Sequence, residues 1–241
     1  MRAVILAGGK GTRLMPYTTV LPKPLIPLGE RPILELIMQQ LCRAGFREVD
    51  LSVGHLGGLI RTYLTESATL PDDLDVRYIW EGEPLGTAGA LRSIVETPEE
   101  PFLVMNGDIL TDLDYAALMA YHREHRPAMT IASHCKQVQL ALGVIESEDG
   151  SQDVTGFVEK PTLKYEVSMG IYVYDPVALE HIPPGRFDFP DLVLALLAAG
   201  ERVMTYPFAG KWFDIGTQDE YQRATVEYEA NAEQFDPATP G

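Results

Sequence analysis

The chain has 241 residues, 46% hydrophobic and 22% charged, enough for one sizeable α/β domain or one domain with a small subdomain. Its net charge of −16 creates a long-range field that argues against general binding to DNA, RNA or an anionic membrane. A local cluster of cations can still reverse that field for a small anionic ligand.

The run Met1 to Ala7 is too short for the apolar core of a signal peptide, and Gly8-Gly9-Lys10-Gly11 cuts it off. No segment approaches the roughly 18 apolar residues of a membrane span, so the cytoplasm is the expected location. Cys42 and Cys135 have no partner at metal-ligand spacing and read as reduced core residues.

Along the chain, Val4-Ile5-Leu6 predicts a short buried strand. Ile33, Leu34, Ile37 and Leu41 fall at helical spacing within 32–44, with Pro32 in the first turn and Gly45 as the stop. Strands follow at 49–53, 76–80 and 102–105, separated by helices at 56–64 and 87–95. Such alternation predicts right-handed crossovers and a mostly parallel sheet with helices on both faces. After residue 127 the pattern changes to successive strands at 129–134, 141–146, 154–159 and 167–174, which predicts a mixed sheet and a small β-rich subdomain. A helix at 189–199 has Asp188 as its cap, and Thr217-x-x-Glu220 forms a capping box for a last helix to about residue 230. The partition is one domain over 1–230, its halves meeting near 127–128, with 231–241 as a disordered tail.

Residues 1–29 contain Arg2, Lys10, Arg13 and Lys23 but no Asp or Glu, although 35 acids in 241 residues would place about four there. Within this window Leu6-Ala7-Gly8-Gly9-Lys10-Gly11-Thr12-Arg13-Leu14 is a glycine-rich turn directly after a strand. Without Cβ atoms the backbone N–H groups are accessible, and the neighbouring cations complete an anion cradle. The pattern is neither G-x-x-x-x-G-K-[ST] nor G-x-G-x-x-G, because Gly11 follows Lys10 and Leu14 occupies the last glycine's place. Arg13 after the loop can contact triphosphate oxygens bidentately. Lys23, between Pro22 and Pro24, is an ammonium on a stiffened backbone, suited to charge that develops on a transferred phosphoryl group.

Gly8-Gly9-x-Gly11-Thr12-Arg13-Leu14 with Pro22-Lys23-Pro24-Leu25 resembles the signature of sugar-1-phosphate nucleotidylyltransferases. The resemblance continues through Leu85-Gly86-Thr87-Ala88-Gly89, Asn106-Gly107-Asp108, Glu159-Lys160-Pro161, Gly170-Ile171-Tyr172 and Trp212-Phe213-Asp214-Ile215-Gly216-Thr217, in family order over residues 1 to about 230. It implies a Rossmann-like α/β fold with a small β-rich sugar-binding subdomain, and an NTP and a sugar 1-phosphate as substrates. It implies Arg13 and Lys23 as catalytic cations, with Leu6, Ala7, Gly8, Gly9, Gly11, Thr12, Arg13, Gly86 and Thr87 at the nucleotide. Asn106, Gly143, Glu159, Lys160 and Gly170 are implied at the sugar phosphate, and Asp108 with Asp214 as ligands of Mg²⁺. The phosphate nucleophile is already anionic, so positioning and charge neutralisation suffice for this chemistry.

Other features read as structural. Asp112-Leu113-Asp114 resembles a glycosyltransferase D-x-D motif but stands where Asp serves as an N-cap. His122 and His125, among Arg123, Glu124 and Arg126, read as a solvated charged face. A glycosyltransferase would not need the triphosphate cradle, and a non-catalytic regulatory subunit would be expected to lose Arg13, Lys23 or the aspartates. Leu85-Gly86-Thr87-Ala88-Gly89 and the compact length are similar to mannose- and heptose-1-phosphate guanylyltransferases, which favours GTP. Uridylyl and thymidylyl transfer remain alternatives, as do a monomer and a homodimer.

Overall fold

The computed structural model describes residues 1–94 and 96–235. The chain opens with β1 (Arg2–Ala7), a hairpin of β2 (Pro27–Leu28) and β3 (Arg31–Pro32), α1 (Ile33–Arg43), β4 (Glu48–Val53), α2 (Gly57–Glu66) and β5 (Asp75–Trp80). A short α3 (Gly86–Gly89), β6 (Phe102–Asn106), β7 (Ile109–Thr111) and α4 (Tyr115–His125) complete the first half. The second half runs β8 (Met129–Gln139), β9 (Val144–Ser147), β10 (Val154–Val158), β11 (Thr162–Tyr174), α5 (Phe189–Ala198) and β12 (Val203–Phe208). It closes with β13 (Trp212–Asp214), α6 (Gln218–Ala230) and α7 (Ala232–Phe235).

Seven strands form one sheet in the order β12-β8-β11-β6-β1-β4-β5. The pairs β12–β8, β6–β1, β1–β4 and β4–β5 are parallel, whereas β11 runs antiparallel to both β8 and β6. Alternation along β1 sends Ala3, Ile5 and Ala7 to one face and Val4 to the other. The first face packs under α1, α2, α4 and α6 through side chains such as Leu34, Ile60, Leu118 and Ala224. The second packs against α3 and α5 through Ala88, Leu192 and Leu196. Expected and observed layers therefore agree: helices cover both faces of a mostly parallel mixed sheet.

Buried charge ties three of these strands together. Asp50 of β4 is fully buried, accepts from Arg2 Nε at 2.6 Å, and lies 3.2 Å from Nε of Arg77, its cross-strand neighbour on β5. Arg2 is thus committed at the start of β1, one strand length (roughly 20 Å) from the glycine loop, and does not join the anion cradle as its place in the acid-free window suggested.

Several local expectations are corrected. The helix expected at 87–95 gives way after Gly89 to a 3₁₀ segment, Ala90–Ser93, and Val95 lies outside the described residues. Pro32 is the N-cap of α1 rather than its first residue. The strands expected at 129–134 and 167–174 are longer, because β8 and β11 continue as a paired arm beyond the core. Cys135 lies where that arm emerges and is exposed, unlike the buried Cys42. His122 is fully buried rather than solvated; its Nδ1 pairs with Thr130 Oγ1 at 2.9 Å, and burial depresses its pKa to about 4. Of the tail expected to be disordered, 232–235 form α7, whose Phe235 is buried with its carbonyl accepting from Gln40 Nε2 at 2.6 Å. Residues 236–241 lie outside the described residues.

Half of the expected capping box forms: Thr217 Oγ1 accepts from Glu220 N at 3.3 Å, while Glu220 Oε2 accepts from Thr217 Oγ1 at 3.1 Å. Asp114 caps α4 by accepting from Ala117 N at 3.0 Å, and Asp112 accepts from Lys211 N at 2.7 Å, so both have structural partners.

Candidate functional site

β1 has β4 on one side and β6 on the other, so successive crossovers diverge there, the point at which parallel sheets receive ligands. A cavity of about 290 Å³ opens at the carboxyl ends of these strands. Leu6, Ala7, Gly8 and Gly9 form its wall at β1, Asn106, Gly107 and Asp108 its wall at β6. Lys23, Pro24, Glu81, Pro84, Gly86 and Thr87 complete the lining.

Two of the loop's three glycines are required by what they face, whereas a Cβ on Gly9 would meet nothing within 4 Å. A Cβ on Gly8 would stand 2.6 Å from Glu81 Oε1. Gly11 has φ +59°, and a Cβ there would meet Thr18 Cγ2 at 2.8 Å and Lys23 Cβ at 3.2 Å. Thr18 Oγ1 donates to Gly11 O at 2.8 Å, which fixes the turn against the Lys23 segment. Gly8 is thus held against Glu81, itself a lining residue, and Gly11 against Thr18 and Lys23.

Lys23 opens a 3₁₀ turn, Lys23–Leu25, after the buried Pro22, and its Nζ pairs with Asp108 Oδ2. The other oxygen of Asp108 is buried and has no hydrogen-bond partner among the described residues. An ideal Cβ on Gly216 would lie 3.6 Å from both Arg13 Nη2 and Asp214 Oδ1, which brackets these two groups on one side of the same region. Partial burial, then the charge of Asp108, raises the Asp214 carboxyl pKa above its ordinary value, while Lys23 and Arg13 oppose the shift. An unpartnered carboxylate oxygen beside a second, like-charged carboxyl is a donor set that fits a hard divalent cation. Among the described residues no set of three or more His, Cys, Asp or Glu encloses a metal. Two carboxylates suit magnesium, which keeps waters and substrate phosphates in its remaining positions.

The shift has a testable sign. A carboxyl with a raised folded pKa binds protons more readily folded than unfolded, so its contribution to stability is present at low pH and is lost as pH rises through the folded value. Without a divalent cation, Asp214→Asn is therefore expected to raise the thermal midpoint at pH 7. Added MgCl₂ should raise the midpoint of the unsubstituted protein and leave the variant's unchanged. In the unsubstituted protein Mg²⁺ binding should weaken on acidification from a pH above the ordinary Asp range; a midpoint lowered by Asp214→Asn in EDTA would refute this account.

Leu6, Ala7, Gly8, Gly9, Lys23, Gly86, Thr87, Asn106 and Asp108 thus meet at one cavity, with Arg13 and Asp214 beside it. Gly11 and Thr12 continue the loop without lining the cavity. Gly170, at φ +73°, is so close to Asn106 that a Cβ would stand 2.6 Å from its Nδ2. Gly143, Glu159 and Lys160 form a separate group at the base of the β9–β10 pair. A Cβ on Gly143 would lie 2.9 Å from Glu159 Oε2, Glu159 and Lys160 pair at 3.9 Å, and neither of these two charged side chains lines the cavity. Glu81, whose identity already argued against a thymidylyl-type base site but which was not expected among the site residues, also lines the cavity. It accepts from Ser52 Oγ at 2.5 Å and Leu85 N at 3.4 Å. Its signal was an acid directly after β5, at the same sheet edge as Gly8.

The Nucleotidyl transferase family profile matches residues 2–231. UTP–glucose-1-phosphate uridylyltransferase of Synechocystis sp. is 33% identical over 93% of this chain and 62% of its own length. Mannose-1-phosphate guanylyltransferase catalytic subunit beta of Drosophila pseudoobscura pseudoobscura is 35% identical over 91% of this chain and 60% of its own. The chain therefore spans about six tenths of the length of these curated relatives. The crystal structure of HddC from Yersinia pseudotuberculosis superimposes with a TM-score of 0.70 at 25% identity, covering 94% of this chain and 99% of that one.

Proposed function

The chain belongs to the nucleotidyl transferase family, and from that premise we propose that it transfers a nucleotidyl group from an NTP to a sugar 1-phosphate, releasing pyrophosphate. The observation that carries the reading is the convergence at one cavity of the bare backbone of Gly8 and Gly9 with Lys23 and Asp108, Arg13 and Asp214 standing beside it. A sugar-phosphate oxygen attacks the α-phosphorus in line; the new P–O bond forms as the bond to pyrophosphate breaks. The backbone of Gly8–Gly11 receives the phosphates, and Arg13 chelates the departing pyrophosphate oxygens. Lys23, held by its flanking prolines, neutralises charge at the α-phosphoryl group without rearrangement. Asp108 and Asp214 would hold Mg²⁺, which supplies charge neutralisation across the phosphates when bound.

Residues 1–127 serve the nucleotide and 128–230 the sugar phosphate. In the second half Glu159 and Lys160 grip the sugar hydroxyls and phosphate and Gly143 and Gly170 border the ring, joined by Asn106 from the first half. Glu159 and Lys160 stand at the base of the β9–β10 pair outside the cavity, so the sugar phosphate lies between that pair and the cavity.

Glu81 favours guanine. A carboxylate only accepts hydrogen bonds, and guanine presents N1–H and its 2-amino group side by side. Uracil and thymine present one N–H flanked by two carbonyl oxygens, which a carboxylate repels. GTP is therefore the assigned donor, with mannose or heptose 1-phosphate as acceptor. Pyrophosphate release, measured with five NTPs crossed against mannose, heptose and glucose 1-phosphates, tests this. Turnover with GTP and the first two supports it; release only with UTP or dTTP overturns the base, and no release with any pair overturns the reaction. Glu81→Gln is expected to cost GTP about 1–3 kcal/mol, roughly 5- to 150-fold in kcat/KM, and to raise UTP relative to GTP.

A further inference from the structure

Asp188 occupies the N-cap position of α5, yet its side chain makes no capping bond to its own helix. Its Oδ1 instead accepts from Thr87 N, at 3.1 Å, in the loop that lines the cavity. The cap of α5 comes from the other direction, because Phe189 N donates to Thr87 Oγ1 at 2.7 Å. Each segment thus caps the other across about a hundred residues of sequence. Backbone bonds reinforce the exchange: Ala88 N and Gly89 N donate to Phe187 O at 3.0 and 2.9 Å, and Phe187 N donates to Leu85 O at 2.8 Å. The fit is close enough to exclude a side chain at residue 86. Gly86 has φ +79°, and a Cβ there would lie 2.6 Å from both Asp188 Oδ1 and Phe187 O.

Two contacts carry this arrangement outward. Leu85, held through its carbonyl, also donates its N–H to Glu81 Oε2 at 3.4 Å, so the strap reaches the proposed base-reading carboxylate. The Phe189 ring stacks on Tyr172 at 4.0 Å between centroids, and Tyr172 OH pairs with Ser168 Oγ at 3.1 Å, next to Gly170.

We infer that the 187–189 strap of the second half is the positioning element of the nucleotide loop, with Asp188 acting through Thr87 to set nucleotide affinity. The inference rests on the proposed function only in taking the loop's ligand to be an NTP. Asp188 itself need not touch the nucleotide. An ordinary cap would stabilise α5 and leave ligand affinity unchanged; a positioning residue changes affinity for one substrate.

Binding of GTP with Mg²⁺, measured by calorimetry, is therefore compared with steady-state kinetics and thermal midpoints for Asp188→Ala, Asp188→Asn and Thr87→Val. Asp188→Ala is expected to raise the GTP Kd and KM roughly tenfold while kcat and the sugar-phosphate KM stay within about twofold. Asp188→Asn keeps an oxygen that accepts from Thr87 N and should restore binding to within about threefold. Thr87→Val combined with Asp188→Ala should cost less than the product of the single changes, because both break one exchange. Amide hydrogen exchange over residues 85–89 is read in parallel and should quicken in Asp188→Ala. An unaltered GTP Kd in Asp188→Ala, an equal rise in both KM values, or failure of Asp188→Asn to rescue would each overturn the inference. If the unsubstituted protein binds no NTP, the proposed function fails; exchange over 85–89 then decides the strap by itself, unchanged protection in Asp188→Ala refuting it.

Discussion

Asp108→Asn should lower kcat/KM roughly 10³-fold, with the fold retained. Asp108 offers one oxygen to Lys23 and keeps the other buried and unpartnered. An amide keeps the shape but removes the charge that would bind a cation, and it leaves Lys23 without its counterion. The loss should fall on kcat and on the Mg²⁺ requirement more than on the nucleotide KM, because the charge acts where phosphate charge builds up. Raised Mg²⁺ should rescue little, since one of the two proposed ligand carboxylates is gone. Titration of activity against MgCl₂ at saturating substrates checks this; a variant with unchanged Mg²⁺ dependence would remove Asp108 from the metal site. Lys23→Met and Asp108→Asn should be non-additive, because they remove the two sides of one ion pair.

Arg13→Ala is the second large effect, a loss of about 10²–10³ in kcat. Arg13 follows the glycine loop and lies beside Asp214, so its guanidinium flanks the carboxylates and can meet the leaving pyrophosphate from that side. Arg13→Lys should recover less than a tenth of the loss, roughly, because an ammonium cannot chelate two oxygens in the planar geometry. Kinetics in the reverse direction give a sharp readout. With pyrophosphate as a substrate, the Arg13→Ala variant should show a raised pyrophosphate KM; an unchanged value would place the guanidinium elsewhere.

Much of the site was legible because its parts are local. Gly8, Gly9 and Gly11 follow a strand, Lys23 is fenced by prolines, and Asp108 ends another strand; each signal lies within a few residues, and the parallel sheet brings their strand ends together. The strap was not legible. Asp188 reads as an N-cap by every local rule, and only the packing of α5 against α3 turns its side chain to Thr87. His122 failed for a similar reason. Its charged neighbours suggested a wet face, yet the turn of α4 that carries it points into the sheet, where Thr130 satisfies one ring nitrogen. Arg2 looked like part of the cradle by sequence distance, but strand β1 separates it from the loop, and Asp50 claims it. Cys135 became exposed because strand length is set by pairing with β11, which local apolar runs do not report.

The buried aspartate shared by Arg2 and Arg77 has an effect at the opposite end of the sheet. A one-residue slip of β4 would turn Asp50 to the wrong face and abandon its charge in apolar surroundings. The same slip would carry Gly54 away from Gly8, which it abuts, and Val53 O away from Glu81 N beyond β5. Misaligned chains are thereby both unstable and unable to assemble the cavity at the strand ends, so the alignment that survives folding is also the one that builds the site.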